Sequence, residues 1–196
     1  MDVYEEERDE PGPTAPGIVR WPRRLEEATA LDGPVRALEP TVEAVFGTGN
    51  RGAVLRGEWL GHAVHPILTD LMLGSWTSAS LLDLLGGRDA SASAQRLLGI
   101  GLLAAAPTFW TSRAGWTTAG TRDKRVGVVH AVTNGAAHSA YAASWLARRR
   151  VDHGRGVGLA LAGAAVSGVG AYLGGHLAIA RKVGSHDPAY GSPLGV

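Results

Sequence analysis

Four long runs of small and apolar residues fill the chain between about residues 61 and 182, and short basic or glycine-rich stretches separate them. The runs predict helices over these stretches: about Pro66 to Leu85, about Gln95 to Ala119, Val126 to Leu146, and the interval between Arg155 and Arg181. Each supplies the roughly 20 residues with which a helix crosses about 30 Å of hydrocarbon. Because the connections are short, successive helices should be antiparallel. The pattern predicts an all-α fold, an integral membrane four-helix bundle in residues 61–182, and hence a multi-pass protein of the cell membrane.

The sequence on either side of these runs is more polar. Residues 1–20 combine Asp, Glu and Pro, and we expect them to form a disordered acidic tail. Residues 21–60 are mildly amphipathic, which predicts a short helix that lies on the membrane surface or packs over the mouth of the bundle. The apolar positions behind this pattern are Val35, Leu38, Val42, Val45 and Phe46. Residues 183–196 form a C-terminal tail in this interpretation.

A soluble, alanine-rich helical bundle is the main alternative to a membrane protein. A soluble bundle needs a polar face on every helix. The third and fourth runs contain no Asp, Glu, Lys or Arg between their basic ends and offer water little more than hydroxyls and histidines. Tryptophans also lie near predicted helix ends, where the membrane interface favours them: Trp59, Trp116 and Trp145. These features favour the membrane.

Composition narrows the chemistry that the chain can support. A formal net charge of +1 with 19% charged residues is too balanced for a protein that binds nucleic acid. The chain has no cysteine, which excludes disulfides, thiolate nucleophiles, iron–sulfur ligation and covalent c-type haem within it. Any metal or cofactor would have to be held by His, carboxylate, Asn or Met side chains. We expect the lipid bilayer to be the main partner, and a homo-oligomer is compatible with the sequence.

Small residues recur along one side of the fourth predicted helix at alternating spacings of four and three. They are Gly156, Ala160, Gly163, Ser167, Gly170 and Gly174. In lipid, such a stripe lets two helix backbones approach closely. It predicts that the fourth helix packs inside the bundle through this side.

Four histidines are expected at one membrane face. His62 and His65 lie at the start of the first helix, His130 lies near the start of the third, and His176 lies near the end of the fourth. Because neighbouring helices are antiparallel, these positions come to one level. Imidazole is a common ligand of transition metals and of haem iron. We therefore take His65, His130 and His176 as candidate cofactor ligands and all four histidines as candidate metal ligands.

A polar stripe on the third helix extends this level into the bilayer. His130, Asn134 and His138 are spaced four residues apart, so they share one helix face over about 12 Å. Asp70, on the first helix, is placed to meet the stripe, and Arg113 comes to the same level from the second helix. Polar and ionisable residues inside a membrane normally face the bundle interior and mark an ion path, a proton relay or a cofactor.

Each of these residues also has a plainer role open to it. His65 can cap the first helix, and His62 can lie at the interface without a partner. Asn134 can join two helices by a hydrogen bond, and Arg113 can extend to the lipid headgroups. Three further polar residues are expected in water at the surface: Asp83, His153 and His186.

The stretch that begins at Trp59 resembles a known family. Residues 59–70 read Trp-Leu-Gly-His-Ala-Val-His-Pro-Ile-Leu-Thr-Asp, with Gly-Ser-Trp at 74–76 and Leu-Asp-Leu at 82–84, and this looks like the opening signature of the bacterial membrane family catalogued as domain of unknown function 2231. The family's later motifs are matched by His130-Ala131 with Asn134, Tyr141 with Ser144-Trp145, and Gly174-Gly175-His176-Leu177. The resemblance covers roughly residues 35–182, and Ala-Val stands at 63–64 where the family more often has Pro-Leu.

The resemblance implies a four-helix membrane protein without a settled activity. Some members are joined to, or encoded beside, Rieske-type iron–sulfur domains, which implies redox work. Because this chain lacks cysteine, a partner protein would have to supply such a domain.

Three functions are compatible with these features. The first is a membrane redox component that binds b-type haem or a transition metal through the candidate histidines, with a Rieske-type or other redox protein as its partner. The second is a pathway for protons, ions or a small solute, lined by His130, His138 and Asp70. The third is a structural module that docks a partner enzyme and uses its histidines only as interhelical hydrogen bonds. The sequence leaves the three open.

Overall fold

A computed structural model describes residues 16–47 and 49–184, and every regular element in those two ranges is helical. The α-helices are α1 Gly17–Glu27, α2 Asp32–Val42, α3 Gly49–Arg56, α4 His65–Leu85, α5 Ser91–Trp116, α6 Thr121–Arg149 and α7 His153–Gly175. A π-helical turn, His176–Ala180, continues α7. The all-α prediction is confirmed for the described residues. His186 and most of both predicted tails lie outside them.

The four long helices agree with the four apolar runs, but several boundaries differ. Helix α6 begins at Thr121 rather than Val126. The basic stretch that was expected to be a loop therefore forms the N-terminal part of this helix. Helix α1 begins at Gly17, inside the stretch expected to be a tail. Helix α6 therefore begins in charged sequence before its apolar run, and α1 includes Ile18 and Val19, which the expected tail had contained.

Only one helix among the described residues is both long enough and apolar enough by composition to be a membrane span. It covers His153–Ala180, which is α7 with its π-helical continuation. Helices α4, α5 and α6 fall short of the same criterion, because aspartate, arginine, histidine and hydroxyl side chains interrupt their apolar runs. For these three helices a transmembrane placement stays a prediction.

The long helices form two antiparallel hairpins that pack together. Helix α4 lies mainly along α5, and α6 lies mainly along α7. Trp76 of α4 joins the hairpins: it is 2% exposed, and its indole stacks on the Tyr141 ring of α6 with 4.3 Å between centroids. On its other side the indole lies against Gly101 of α5. Leu98 of α5, which belongs to the same core cluster, is fully buried.

The predicted stripe on α7 is the surface that meets α6. Gly156, Ala160, Gly163, Ser167 and Gly170 are buried, and Gly174 is partly buried. The four glycines lie against side chains of α6, in the pairs Gly156 with Arg148, Gly163 with Tyr141, Gly170 with Asn134 and Gly174 with His130. The two series run in opposite directions with the same steps of seven, seven and four residues. The expectation of close packing through this stripe is confirmed.

The N-terminal helices cover one end of the bundle. Helices α1 and α2 pack on α6, and α3 packs on α5. The Trp21 ring of α1 stacks on Tyr172 of α7 with 6.0 Å between centroids, and the Tyr172 hydroxyl donates to the Ile18 carbonyl oxygen at 2.5 Å. The end that they cover holds the starts of α4 and α6 and the end of α7.

We expect Gly101→Ala to destabilise the fold, because an added methyl group would overlap the buried Trp76 indole. Overpacking of this kind costs about 1–3 kcal/mol. Gly115→Ala is the matched control: it lies on the same helix with open space around its Cβ position, and should be neutral or slightly stabilising. Thermal unfolding of the purified variants measures both. Equal unfolding temperatures for wild type and Gly101→Ala would contradict the Trp76 packing.

Candidate functional site: a polar seam through the bundle

His65 lies at the covered end of the bundle and bonds to α5. Its Nδ1 is 3.1 Å from the Thr108 carbonyl oxygen and 3.2 Å from Thr111 Oγ1. A carbonyl oxygen only accepts, so Nδ1 carries the proton and donates. The Nε2 atom has one long contact, 3.4 Å to Thr69 Oγ1, and the Thr69 hydroxyl donates to the His65 carbonyl oxygen at 2.9 Å. His65 Nε2 is therefore the less engaged nitrogen.

His130 joins α6 to α7 and has both ring nitrogens occupied. Its Nδ1 donates to the Gly170 carbonyl oxygen at 2.9 Å, and its Nε2 accepts from Asn134 Nδ2 at 3.0 Å. This fixes the neutral ring in one tautomer, with the proton on Nδ1. His65 and His130 lie within electrostatic range of each other. The structure thus brings two of the three candidate cofactor ligands into one region.

His176 bonds to a different partner, a carboxylate on the N-terminal helix α1. His176 Nε2 is 2.7 Å from Glu26 Oε1, and both side chains are largely buried. Arg181 Nε lies 3.8 Å from the same carboxylate oxygen and 2.6 Å from Asp123 Oδ1. The position of His176 at the level of the other histidines is as expected, but its partner, Glu26, was not anticipated from the sequence.

A second set of charged contacts holds α2 to the start of α6. Arg125 donates two hydrogen bonds to the Asp32 carboxylate, at 2.6 and 3.0 Å, and a third to the Glu26 carbonyl oxygen at 2.7 Å. Lys124 pairs with Glu39. The hydrogen bonds from Arg125 lower the pKa of the Asp32 carboxyl from its ordinary value. Since the folded-state pKa is depressed, this pair stabilises the docked helix at neutral pH and loses that effect as the pH falls through the depressed pKa.

Four other predicted site residues are not part of this arrangement. His62 is exposed, and Asp70 is exposed on α4 with no hydrogen bond or ion pair to the polar stripe among the described residues. The expected meeting of Asp70 with the stripe is therefore wrong. Arg113 lies over the Phe109 ring of its own helix and donates to the Phe109 carbonyl oxygen at 3.3 Å. His138 meets the edge of the Trp76 ring, with 6.1 Å between centroids.

The candidate ligands do not form a metal-binding set. Within residues 16–47 and 49–184, no group of three or more His, Asp or Glu side chains is arranged to hold a metal ion. His130 would have to give up the Asn134 hydrogen bond to offer Nε2 to a metal, and His176 would have to leave Glu26. The residues as arranged do not fit a three-histidine site, and ligation of haem or metal stays a prediction.

Asp83 and Arg148 form a buried ion pair at the opposite end of the bundle. Arg148 donates to the two Asp83 carboxylate oxygens at 2.9 and 2.5 Å, and the side chains are only 0% and 2% exposed. The expectation that Asp83 is solvated is wrong. A signal for the pair was present, since the antiparallel order places the ends of the first and third predicted helices at the same level.

Between these two ends, polar side chains continue along the interface of α6 and α7. The Ser144 hydroxyl donates to the Gly156 carbonyl oxygen at 2.6 Å, and Arg148 Nε lies 3.3 Å from Ser144 Oγ. The Tyr141 hydroxyl faces those of Ser80 and Ser167, although Ser167 Oγ is buried without a hydrogen bond of regular geometry in the described chain. We call this row, from His130 through Asn134, Ser167, Tyr141 and Ser144 to Arg148, the polar seam.

Two buried indole nitrogens near this interior also lack an acceptor among the described residues. They belong to Trp76, at the centre, and Trp116, whose ring lies on Gly127 of α6. Trp116 is the last residue of α5, near a helix end as expected, and its ring packs against α6. Buried polar atoms of native proteins are almost always paired with protein groups or ordered water. The Ser167 hydroxyl and these two indole nitrogens are thus the buried polar side-chain atoms of the described residues that lack a protein partner.

We expect Glu26→Gln to loosen α1, because it replaces a charged partner of His176 and Arg181 with a neutral amide. Loss of a charge-assisted hydrogen bond costs roughly 1.5–3 kcal/mol. Hydrogen exchange of the α1 amides should accelerate, as measured by mass spectrometry. Glu27→Gln, at the exposed neighbouring position, is the matched control and should exchange like wild type. Unchanged exchange in Glu26→Gln would show that the carboxylate does not hold the helix.

Comparison of the chain with protein-family models, with curated proteins and with solved structures finds no match. The resemblance to the bacterial membrane family therefore stays a prediction.

Proposed function

We propose that the chain is an integral membrane protein in which α4, α5, α6 and α7 all cross the bilayer. The outward-facing positions support this placement. Large apolar side chains exposed along these helices are Ile67, Leu71, Leu81, Leu84, Leu85, Ile100, Leu103, Phe109, Trp110, Val132, Leu146 and Val169. Residues 126–146 of α6 and 156–175 of α7 expose no charged side chain, and Asp70 and Arg96 are the exposed charges of α4 and α5. Lipid tails solvate such surfaces, whereas water does not.

We expect Val132→Arg to impair membrane insertion, because Val132 is 68% exposed in the middle of α6. An arginine at the centre of a membrane helix costs about 2.5–3.5 kcal/mol on insertion scales. Val151→Arg is the control, since Val151 is 77% exposed in the turn after α6. The measurement is the fraction of chain in the membrane pellet after an alkaline carbonate wash. Wild type in the supernatant without detergent, or Val132→Arg that inserts as well as Val151→Arg, would contradict the placement.

Within this bundle, we propose that the polar seam is a proton pathway. The observation that carries the proposal is the row of polar side chains along the α6–α7 interface from His130 to Arg148, with titratable groups at both ends. Hydrogen bonds join its members near each end, but none joins them between Asn134 and Ser144 among the described residues. At the covered end these are His130, His176 and Glu26, and at the other end they are Asp83 and Arg148. Chains of Asp, Glu and His inside membrane bundles are the usual form of a proton relay.

The individual groups have different tasks in such a pathway. The imidazole of His130, with its tautomer set by Asn134 and Gly170, can accept a proton on Nε2 when the amide moves away and release one from Nδ1. The hydroxyls of Ser167 and Tyr141 can each accept one proton while donating another. His130 and Tyr141 are about 16 Å apart along the α6 axis, from 1.5 Å per residue, so ordered water has to bridge part of the distance. The unpaired Ser167 hydroxyl is a suitable partner for it.

A redox role is the second candidate, favoured by one observation: His65 and His130 come from different helices and lie within electrostatic range. His65 Nε2 has only its long contact with Thr69. Against this role, both nitrogens of His130 are bonded. A Soret band, or a stoichiometric transition metal in the purified chain, would favour this candidate over the pathway, and a Rieske-type partner would then be the protein to seek.

We expect the purified chain in liposomes to conduct protons, and Tyr141→Phe and Ser167→Ala to reduce the flux by about tenfold or more, which is ~1.4 kcal/mol in the barrier. Tyr141→Phe keeps the ring that stacks on Trp76 and removes only the hydroxyl. The matched control is Ser139→Ala, because the exposed Ser139 hydroxyl bonds only to Gly135 of its own helix. A potassium gradient with valinomycin drives the flux, and a trapped pH-sensitive dye reports it.

Two results would end the pathway proposal. One is a wild-type flux no greater than that of empty liposomes. The other is an equal flux for all three variants, because the seam hydroxyls would then have no special role.

A further inference from the structure

An apolar groove lies on the outside of the bundle, away from the polar seam. Its volume is about 480 Å³, and it is lined by Val45, Phe46, Asn50, Arg51, Val54, Leu55 and Trp110. One wall is the turn before α3 and the α3 helix itself, and the other is Trp110 on the outward side of α5. Val54 and Trp110 are 56% and 57% exposed. The groove thus opens on the surface that the proposed membrane placement turns towards lipid.

The charged side chain at the groove is that of Arg51, which has no carboxylate partner among the described residues. Arg51 is exposed, and its guanidinium donates one hydrogen bond, to the Ala44 carbonyl oxygen at 3.3 Å. No acidic side chain of the described residues pairs with it. The neighbouring Arg56, by contrast, is held by Glu58 at 2.8 Å. Arg51 therefore keeps most of its donors available for an anion outside the protein.

In the proposed membrane placement, the groove lies near the end of α5, close to the level of the lipid headgroups. Trp110 is six residues before the end of α5, so it lies about 9 Å inside the helix terminus. Helix α3 is short, lies along α5 and is followed by Trp59, which is 68% exposed. Exposed tryptophan and arginine beside an apolar surface are the usual composition of a protein at the lipid interface.

We propose that this groove binds an anionic phospholipid. One acyl chain lies between α3 and Trp110, and the headgroup phosphate accepts hydrogen bonds from Arg51 and, beside it, the Asn50 amide. Apolar lining alone would suit any lipid chain, whereas the uncompensated guanidinium at its mouth selects a negative headgroup. The proposal rests on the membrane placement and does not depend on the proton pathway.

The test is native mass spectrometry of the full chain released from detergent, with phosphatidylglycerol and phosphatidylcholine of identical acyl chains added in equal amounts. Wild type should retain phosphatidylglycerol about fivefold better than phosphatidylcholine. This is the change in affinity that ~1 kcal/mol from one basic residue near the surface produces. Arg51→Ala should equalise the two lipids. Arg88→Ala, at an exposed position in the turn between α4 and α5, should keep the preference.

The variant Val54→Trp tests the apolar groove independently of the charge of Arg51. The larger side chain should fill the groove and lower the retention of both lipids, while Arg51→Ala should lower only that of the anionic one. Equal retention of the two lipids by wild type, or equal loss of preference in Arg51→Ala and Arg88→Ala, would overturn the site. A lipid-free dimer that Val54→Trp abolishes would assign the groove to a second copy instead. A wild-type chain that stays soluble without detergent would overturn the membrane placement as well, whereas absence of proton flux would leave the lipid site intact.

Discussion

The close approach of α6 and α7 determines what the interior of this protein can contain. Four glycines of α7 lie opposite Arg148, Tyr141, Asn134 and His130 of α6, in matching steps of seven, seven and four residues. A Cβ atom at any of these glycines would overlap the side chain opposite it. The large polar side chains of α6 therefore fit only because the residues that face them on α7 are small. Seven-residue steps are those of two helices packed with a small crossing angle. The polar seam therefore follows from the stripe of small residues.

Charges close the seam at both ends, and each is paired inside the chain. The Asp83–Arg148 pair is almost completely shielded from solvent, where an unpaired ion would cost several kcal/mol. At the other end, Glu26 pairs with His176 and lies near Arg181, and Asp32 pairs with Arg125. The second group depends on α1 and α2, because both carboxylates lie on those helices. The N-terminal helices thus complete the electrostatics of the bundle as well as covering its end.

The sequence predicted the helices better than it predicted their contacts. Runs of apolar residues locate α4 to α7, and the spacing of small residues identifies the side of α7 that packs, since both properties are local. The start of α6 was missed because Thr121–Arg125 lies outside the apolar run, although Lys and Arg are good helix formers. Its charged side chains pair with Asp32, Glu39 and Arg181. Such pairing joins residues up to 93 positions apart, and no periodicity encodes it. Asp83 was misread for the same reason, although helix direction alone would have placed Arg148 at its level.

The level of the histidines could be predicted, but their bonding could not. Antiparallel order brings His65, His130 and His176 to one end of the bundle, as the contacts with α5, α7 and α1 confirm. What each ring bonds to depends on side-chain direction, and the bonded state bears on function. A metal ligand must offer a free nitrogen lone pair, and the lone pair of His130 already accepts from Asn134. Taking up a proton needs the same lone pair, so in a proton pathway Asn134 would first have to move away from Nε2. The bonding of His130, more than its proximity to the other histidines, therefore decides which chemistry is open to it: with Asn134 in place, neither a metal nor a proton can reach Nε2.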